Sequence, residues 1–295
     1  MARTNEIVGD YRLFHMIRTG AVYEIWAVRP VSGNESFAIK WLPKDSSRYS
    51  SAGVRELKHE YTVGKSLDHP AVIKTYDYGT GKNGAWLLME FFKTPNLKQQ
   101  IIANVKALQW RVKEVLTNAA AGLAHMHERG WVHRDIKPDN YLINDANEVR
   151  LIDFTIAAKP TGALGKLLGS KTKIQGTYSY MGPEQIRGQG VDPRDDIYSF
   201  GCLVYEVLAG KLPFTANTPP ELLQRHLKAK PPSLTVVDSN IKPEFAAFVT
   251  KMMAKKREDR PQSMKEVMVK IKNEPIFYTQ PEKPKVEAAV EEKSD

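Results

Sequence analysis

The chain has 295 residues, with 43 lysines and arginines against 34 acidic residues, and its formal net charge is +9 at neutral pH. This length suits one large domain or two lobes that share a cleft. A basic chain can bind nucleic acid, but the sequence has no block of five basic residues and no zinc-finger or RNA-binding signature. We therefore expect polyanionic small ligands such as nucleotides, and no nucleic-acid partner.

Cysteine usage and hydropathy predict the compartment. Cys202 is the sole cysteine, which excludes an intramolecular disulfide and favours a reducing environment. No stretch approaches the roughly 18 apolar residues that a membrane-spanning helix requires. Residues 1–10 mix charges with single apolar residues and do not resemble a secretory signal. We expect a soluble, cytoplasmic protein without a membrane span.

The first part of the chain predicts a β-rich lobe. Residues 1–10 are an N-terminal extension, and over residues 11–90 short β-like runs alternate with glycine, proline and asparagine. Residues 54–67 interrupt these runs with a stretch rich in glutamate, lysine and leucine, which predicts one helix. Residues 91–95 are the predicted hinge. This lobe and its hinge therefore span residues 11–95.

The second part predicts a larger, mainly helical lobe over residues 96–274. Apolar residues recur at three- and four-residue steps within residues 112–126, as on one face of a long helix. Further helices are predicted at residues 196–209 and 243–254. The fold class is therefore α+β, with two lobes around a cleft. Residues 275–295 are rich in proline, glutamate, lysine and alanine, which predicts a disordered tail.

Residues 133–140, His-Arg-Asp-Ile-Lys-Pro-Asp-Asn, carry the strongest chemical signal in the chain. They place a carboxylate, an ammonium group and an amide at fixed offsets in a loop after the long helix. Phosphoryl transfer needs this set. Asp135 can orient the proton of an attacking hydroxyl, Lys137 can neutralise the transferring phosphoryl group, and Asn140 offers an oxygen ligand to Mg²⁺. The alternative, a polar loop without a chemical role, is disfavoured because all eight positions match a motif for phosphoryl transfer.

Three more residues belong to the same chemistry. Asp153 ends an apolar strand thirteen residues beyond Asn140, an arrangement that can hold a hard cation. Lys40 ends an alternating strand, and Glu60 lies on the helix predicted after it. Taken alone, the aspartate would more often form a turn and the lysine would lie in solvent. The loop motif upstream favours Asp153 as a metal ligand, and Glu60 on the following helix favours Lys40 as a phosphate contact.

These motifs together resemble those of eukaryotic-like serine/threonine protein kinases, a family also common in bacteria, over residues 11–271. Residues 176–184, Gly-Thr-Tyr-Ser-Tyr-Met-Gly-Pro-Glu, are similar to the end of the family's activation segment. Residues 196–201 are similar to the start of its central helix. The resemblance implies that Lys40 and Glu60 pair to fix the α- and β-phosphates of ATP.

The resemblance also implies supporting roles and the type of acceptor. Glu184 and Arg260 are expected to form a buried ion pair, and Asp196 to brace the catalytic loop. Lys137 together with Thr177 favours serine or threonine acceptors over tyrosine. Protein substrates that present such hydroxyls are the implied partners.

The nucleotide site is implied by the same resemblance. The Glu90 carbonyl and the Phe92 amide would hydrogen-bond adenine, with Met89 at the gatekeeper position. The remaining residues expected around the nucleotide are Ile17, Gly20, Ile25, Ala38 and Leu142. ATP with Mg²⁺ is the implied cofactor, with Mn²⁺ as the alternative metal.

The sequence departs from the family pattern at several glycines. Only Gly20 of the three glycines in the phosphate-binding loop is present, and Arg18 and Tyr23 take the outer positions. Bulky residues there weaken or reshape the backbone cradle, and Arg18 either compensates as a phosphate donor or points to solvent. Thr155 replaces the glycine after the Asp-Phe pair and restricts rotation there. Gly64 stands where the helix should carry an apolar residue, which predicts a mobile helix.

Arg134, beside the predicted catalytic aspartate, indicates regulation, because an arginine there commonly receives a phosphate from the activation segment. That segment, residues 153–184, carries Ser170 and Thr172 among lysines. A phosphate on either would add about −1.5 to −2 charge and order the loop. The alternative for each site is a flexible basic loop. A transient dimer of kinase domains is left open.

Three functions compete. An active Mg-ATP-dependent kinase is the first interpretation, because each functional group of the reaction is present. A nucleotide-binding pseudokinase that acts as a scaffold is the alternative, favoured by the missing glycines and by Gly64. A kinase of small molecules is disfavoured because residues 176–184 resemble a peptide-docking segment.

Overall fold

The computed structural model describes residues 3–20, 22–162 and 175–284. Ser170 and Thr172 lie outside the described residues, as do residues 285–295 of the predicted tail. Strands and one helix build the smaller lobe, and the larger lobe is mainly helical. The predicted α+β class with two lobes is confirmed.

The smaller lobe is a six-stranded antiparallel sheet in the order β1-β2-β3-β4-β6-β5. Its strands are β1 (Ile7–Val8), β2 (Tyr11–Thr19), β3 (Glu24–Pro30), β4 (Phe37–Pro43), β5 (Thr75–Gly81) and β6 (Gly84–Glu90). Side-chain alternation buries Trp26 and Leu88 on one face, and Leu42 and Leu87 on the other. Strand β1 lies within the predicted N-terminal extension, so the sheet begins earlier than expected.

Helix α1 (Ser51–Lys65) packs on the second face of this sheet. It begins earlier than predicted because the Ser50 side chain accepts a hydrogen bond from the Gly53 amide and caps the helix. Leu57 and Val63 are buried, so the helix is anchored by apolar contacts on both sides of the position that carries Glu60.

Gly64 allows helix α1 to lie very close to strand β5. A Cβ atom at this position would be 2.2 Å from the Thr75 Oγ1 atom and 3.4 Å from the Phe154 ring. The sequence predicted that this glycine would make the helix mobile. In the structure the missing side chain instead permits a close contact between the helix, the sheet and Phe154.

The larger lobe surrounds a two-stranded sheet. Its strands are β7 (Tyr141–Ile143) and β8 (Val149–Leu151), and its helices are α2 (Leu97–Asn104), α3 (Lys106–Gln109), α4 (Val112–Glu128), α5 (Pro183–Ile186), α6 (Pro193–Ala209), α7 (Pro219–Lys228), α8 (Leu234–Val237), α9 (Pro243–Met252) and α10 (Met264–Asn273). Among the described residues, no helix combines the length and apolar character needed to cross a membrane.

Helix α6 runs through the core of the larger lobe. Its residues from Asp195 to Leu208 are all buried. Asp192 caps the start of the helix, Pro193 occupies the first helical position, and Gly210 ends it with φ of 69°. A helix buried on every side holds its polar side chains in fixed positions, and Asp196 is one of them.

Two residues at the start of the predicted tail lie in the core of the larger lobe. Ile276 and Phe277 are only 3% and 4% exposed. The backbone of this segment pairs with the chain before α9, where the Lys242 amide donates to the Ile276 carbonyl at 2.9 Å. The apolar pair therefore extends the core past the predicted boundary at residue 274.

His226 on α7 lies in a fully buried position next to the turn at residues 178–180. Its Nδ1 atom is 3.0 Å from the Tyr198 hydroxyl, and the Phe214 ring packs 4.9 Å away. Burial, aided by the positive charge of Lys255, lowers the pKa of His226 to about 4. The folded protein therefore keeps this imidazole neutral.

We predict that Gly64→Ala destabilises the protein, although alanine is the better helix former. The added Cβ atom must displace Thr75, and overpacking of this kind costs about 1–3 kcal/mol against a propensity gain of about 1 kcal/mol. The free energy of unfolding in urea measures the balance. Thr62→Ala, at an exposed position of the same helix, should change it by less than about 0.5 kcal/mol. A Gly64→Ala variant as stable as the wild type would contradict the prediction.

Acid should destabilise the protein through His226. Below the ordinary pKa of 6.5 the unfolded chain binds a proton that the folded His226 does not bind until about pH 4. Stability is therefore lost as the pH falls from 6.5 to 4, by roughly 3 kcal/mol in total. Urea unfolding of His226→Gln at pH 7 and pH 4 should show a smaller loss than the wild type. Equal losses in both proteins would refute the assignment.

Candidate functional site

The loop at residues 133–140 is held from the core by Asp196. The amides of His133 and Arg134 each donate to the Asp196 carboxylate at 2.8 Å, and His127 Nε2 donates to it at the same distance. Burial would raise the pKa of this carboxyl group, but these bonds and the nearby imidazoles lower it overall. The bracing is needed because Arg134 has φ of 70°, a strained conformation for a residue with a side chain.

Asp135 lies at the centre of a small hydrogen-bonded group. Lys137 Nζ donates to its Oδ2 atom at 2.6 Å, and the Thr177 amide and hydroxyl each donate to its Oδ1 atom at 2.9 Å. Lys137 also donates to the Thr177 hydroxyl oxygen at 2.8 Å. The Asn140 amide group donates to the Asp135 carbonyl at 2.8 Å. The structure thus brings together four residues that the sequence singled out.

The segment that carries Thr177 is fixed by buried polar contacts. Arg260 Nη2 donates to both carboxylate oxygens of Glu184 at 2.9 and 3.0 Å, and the two residues are 1% and 4% exposed. Gln185 donates from its side chain to the Arg134 carbonyl at 2.8 Å. These contacts tie the segment to both the core and the loop at residues 133–140, so Thr177 stays next to Asp135.

Lys40, Glu60 and Asp153 meet although they lie on three different elements. Lys40 projects from β4, Glu60 from α1, and Asp153 follows β8. Lys40 Nζ lies 2.6 Å from Glu60 Oε2 and 3.3 Å from Asp153 Oδ1. Lys40 is 8% exposed and Glu60 4%, so both charges are largely removed from water.

Electrostatics keep Lys40 and Asp153 ionised. Burial would lower the pKa of Lys40, but the charges of Asp153 and Glu60 outweigh it and raise that pKa. Burial would raise the pKa of Asp153, but the charge of Lys40 and a hydrogen bond from Thr155 bring it well below its usual range. Lys40 is therefore positively charged and Asp153 negatively charged over a wide pH range.

A cavity of about 480 Å³ lies between the lobes and gathers these groups. The predicted site residues that line it are Gly20, Ile25, Lys40, Asp135, Asp153 and Thr177. Arg18, at the end of β2, also lines the cavity, which is where a phosphate donor has to be. Tyr23 lines the same cavity. Both positions where the resembling family has the outer glycines of the phosphate loop therefore contribute a side chain to the cavity.

Other residues predicted around adenine lie along the pairing of β4 with β6. Ala38 is opposite Met89 in the sheet, and it is 5% exposed. Ile17 lies at a bulge in β2 and is 46% exposed. Their contacts with a nucleotide stay a prediction.

Arg150, which the sequence did not single out, contacts two of the residues predicted to bind adenine. Arg150 Nε lies 2.9 Å from both carboxylate oxygens of Glu90, and its guanidinium group lies 4.5 Å from the Phe92 ring centre. Leu142 is paired with Arg150 across β7 and β8. The side chain of Glu90 is therefore engaged, so only its backbone is left for the predicted adenine contact.

Tyr23 and Thr155 also make contacts that the sequence did not predict. Each takes a position where the resembling family has glycine, and that substitution was the one signal available. In the structure both reach Lys40. Thr155 Oγ1 lies 3.2 Å from Lys40 Nζ, and the ring centre of Tyr23 lies 4.9 Å from it.

Comparisons with known proteins agree with this geometry. A family model described as the protein kinase domain matches residues 11–273. The chain is 31% identical over 275 residues to a probable serine/threonine-protein kinase of Streptomyces coelicolor, covering 92% of this chain and 41% of the relative. It is also 31% identical over 294 residues to serine/threonine-protein kinase PknB of Mycobacterium tuberculosis, covering 97% of this chain and 46% of the relative. The chain therefore spans less than half the length of these relatives.

Proposed function

This chain belongs to the protein kinase family, and from that premise we propose that it transfers the γ-phosphoryl group of Mg-ATP to serine or threonine hydroxyls of protein substrates. The relatives named above carry the name serine/threonine-protein kinase. We propose a cytoplasmic location, because the reaction draws on the ATP of that compartment.

One observation carries the proposal: the charged groups of the reaction face one cavity in an assembled arrangement. Lys40, Asp135, Asp153 and Thr177 all line the cavity between the lobes. Lys40 Nζ and Glu60 Oε2 are in contact at 2.6 Å. This pair must be in place for catalysis by a protein kinase, because it sets the lysine that contacts the phosphates.

Asn140 and Asp153 fit the role of metal ligands. The Asn140 amide nitrogen is used by the Asp135 carbonyl at 2.8 Å, so the amide oxygen is the ligand atom that this side chain has left. The Ile152 amide donates to the Asn140 carbonyl at 3.0 Å and keeps Asn140 beside the strand that leads to Asp153. Such a sparse set suits Mg²⁺, which keeps waters and substrate phosphates as its other ligands. When bound, the metal ion neutralises phosphate charge.

Asp135 and Lys137 supply the chemistry at the acceptor. The Asp135 carboxylate can accept the proton of a serine or threonine hydroxyl and orient its oxygen toward the phosphoryl group. Lys137, 2.6 Å from that carboxylate, offers a positive charge where negative charge develops. Thr177 holds both groups and limits the space for the acceptor. Proteins with accessible serine or threonine side chains are the proposed substrates.

The alternative of a pseudokinase scaffold has no observation in its favour within the described residues. The arguments for it were the missing glycines and a helix α1 loosened by Gly64. Gly64 instead permits close packing of the helix on Thr75, and Glu60 reaches Lys40. Neither departure removes a group that the transfer needs.

Asp135→Asn should reduce phosphate incorporation from radiolabelled ATP into a generic protein substrate by about 10²–10⁴-fold, because the variant keeps the shape of the side chain but loses the proton acceptor. Asp145→Asn, the same change at an exposed position of the β7–β8 turn, should leave incorporation unchanged. A wild-type protein that incorporates no more label than Asp135→Asn would refute the proposed activity.

We further propose that the kinase phosphorylates its own activation segment. Arg134 Nη1 donates to the Ile156 carbonyl at 3.4 Å, so the guanidinium group faces the start of that segment. Ser170 and Thr172 are the candidate acceptors, and a phosphate there could form charge-assisted hydrogen bonds with Arg134.

Peptide mapping by mass spectrometry after incubation with Mg-ATP should find phosphate on Ser170 or Thr172 of the wild type and none there in Asp135→Asn. A rate that rises with protein concentration would indicate a transient dimer, and a constant rate would indicate transfer within one chain. Active protein without phosphate between residues 155 and 183 would rule out this form of regulation.

A further inference from the structure

Two side chains occupy the space that glycines leave open in the resembling family, and both contact Lys40. Thr155 replaces the glycine that follows Asp153 and Phe154. Tyr23 replaces the last glycine of the phosphate loop. Each residue also contacts helix α1, which carries Glu60.

The Thr155 hydroxyl joins three charged residues. Its oxygen lies 2.6 Å from Asp153 Oδ1 and 3.1 Å from Glu60 Oε2, and it accepts a hydrogen bond from Lys40 at 3.2 Å. A hydroxyl has one proton and two lone pairs, so it donates to the nearer carboxylate, Asp153, and can accept from the lysine. Thr155, Asp153 and Lys40 therefore form a closed set of hydrogen bonds, and Lys40 connects this set to Glu60 on helix α1.

These contacts use all the hydrogen-bond donors of Lys40. An ammonium group has three N–H donors. They are directed to Glu60 at 2.6 Å, Asp153 at 3.3 Å and Thr155 at 3.2 Å. A buried cation with three partners has one preferred position, so the hydroxyl removes the freedom that a glycine would leave to Lys40 and Asp153.

Tyr23 reaches the same helix from the opposite side. Its hydroxyl lies 3.0 Å from the Gly53 carbonyl and 3.2 Å from a Glu56 carboxylate oxygen, both in the first turns of helix α1. Its ring faces Lys40 at 4.9 Å. The loop between β2 and β3 is therefore tied to the helix through a side chain.

We propose that Tyr23 and Thr155 are positioning residues that hold helix α1 against the catalytic centre and set Lys40 and Asp153 before a nucleotide binds. Gly64 lets this helix pack closely on Thr75 and Phe154. Lys40 adds a polar contact to Glu60, and Tyr23 adds one to the first turn of the helix. The inference rests on the proposed function for the identity of the ligand, Mg-ATP. The role of the two hydroxyls in holding helix α1 can be tested on the protein without nucleotide.

The variants that test it remove single hydroxyls. Thr155→Val keeps the shape of the side chain, Thr155→Ser restores the hydroxyl, and Tyr23→Phe keeps the ring beside Lys40. Matched controls on the same helix are Thr62→Val, where the hydroxyl bonds only the Lys58 carbonyl of its own helix, and Tyr61→Phe, where ring stacking on Tyr78 is preserved.

The first measurement is hydrogen–deuterium exchange of residues 51–65 without nucleotide. Thr155→Val and Tyr23→Phe should each speed exchange by roughly tenfold, because the first loses hydrogen bonds to Asp153 and Lys40 and the second loses a hydrogen bond to the first turns of the helix. Thr155→Ser and both controls should exchange like the wild type. The second measurement is Mg-ATP affinity by calorimetry, together with KM and kcat.

Affinity should fall and KM should rise about five- to tenfold in the two hydroxyl-removing variants, with kcat within about twofold, because prior positioning acts on binding. A loss confined to kcat, or Thr155→Ser behaving like Thr155→Val, would overturn the inference. Unchanged exchange in variants of an active wild type would also overturn it. A wild type that transfers no phosphate would instead refute the proposed function, while the exchange result would still decide the role of the hydroxyls.

Discussion

The buried carboxylate of Asp196 is the contact on which the site depends. It accepts hydrogen bonds from two consecutive loop amides and from His127, and it projects from a helix that is buried on every side. Because the helix cannot move without disrupting the core, the loop cannot move either. The strained backbone at Arg134 is stable only under this constraint, and it sets the direction in which Asp135 leaves the loop.

Pairing of buried charge extends the same constraint to the rest of the site. A charge withdrawn from water must be matched, since an unpaired one is strongly unfavourable. Glu184 with Arg260 fixes the segment that carries Thr177, and Lys40 with Glu60 fixes helix α1 to the sheet. Lys40 also pairs with Asp153 of the larger lobe at 3.3 Å, so one buried charge links the two lobes.

In this protein two side chains, those of Tyr23 and Thr155, occupy positions where the family has glycines. A glycine gives room to a phosphate and freedom to the segment around it. Tyr23 and Thr155 fill that room with hydroxyls directed at helix α1 and at Asp153. The opposite holds at Gly64, where the absence of a side chain lets helix α1 approach Thr75. The site is consequently organised by hydrogen bonds more than by a glycine-rich cradle.

The sequence by itself determined the fold class and predicted the type of chemistry, because these depend on local periodicity and on residues at fixed short offsets, such as Asp135, Lys137 and Asn140. It did not determine that Ile276 and Phe277 would close the core, or what Gly64 would pack against. Nor did it predict that Thr155 would bond both Asp153 and Lys40. Those contacts join residues far apart in the chain, and only the folded arrangement of helix, sheet and loop brings them within bonding distance.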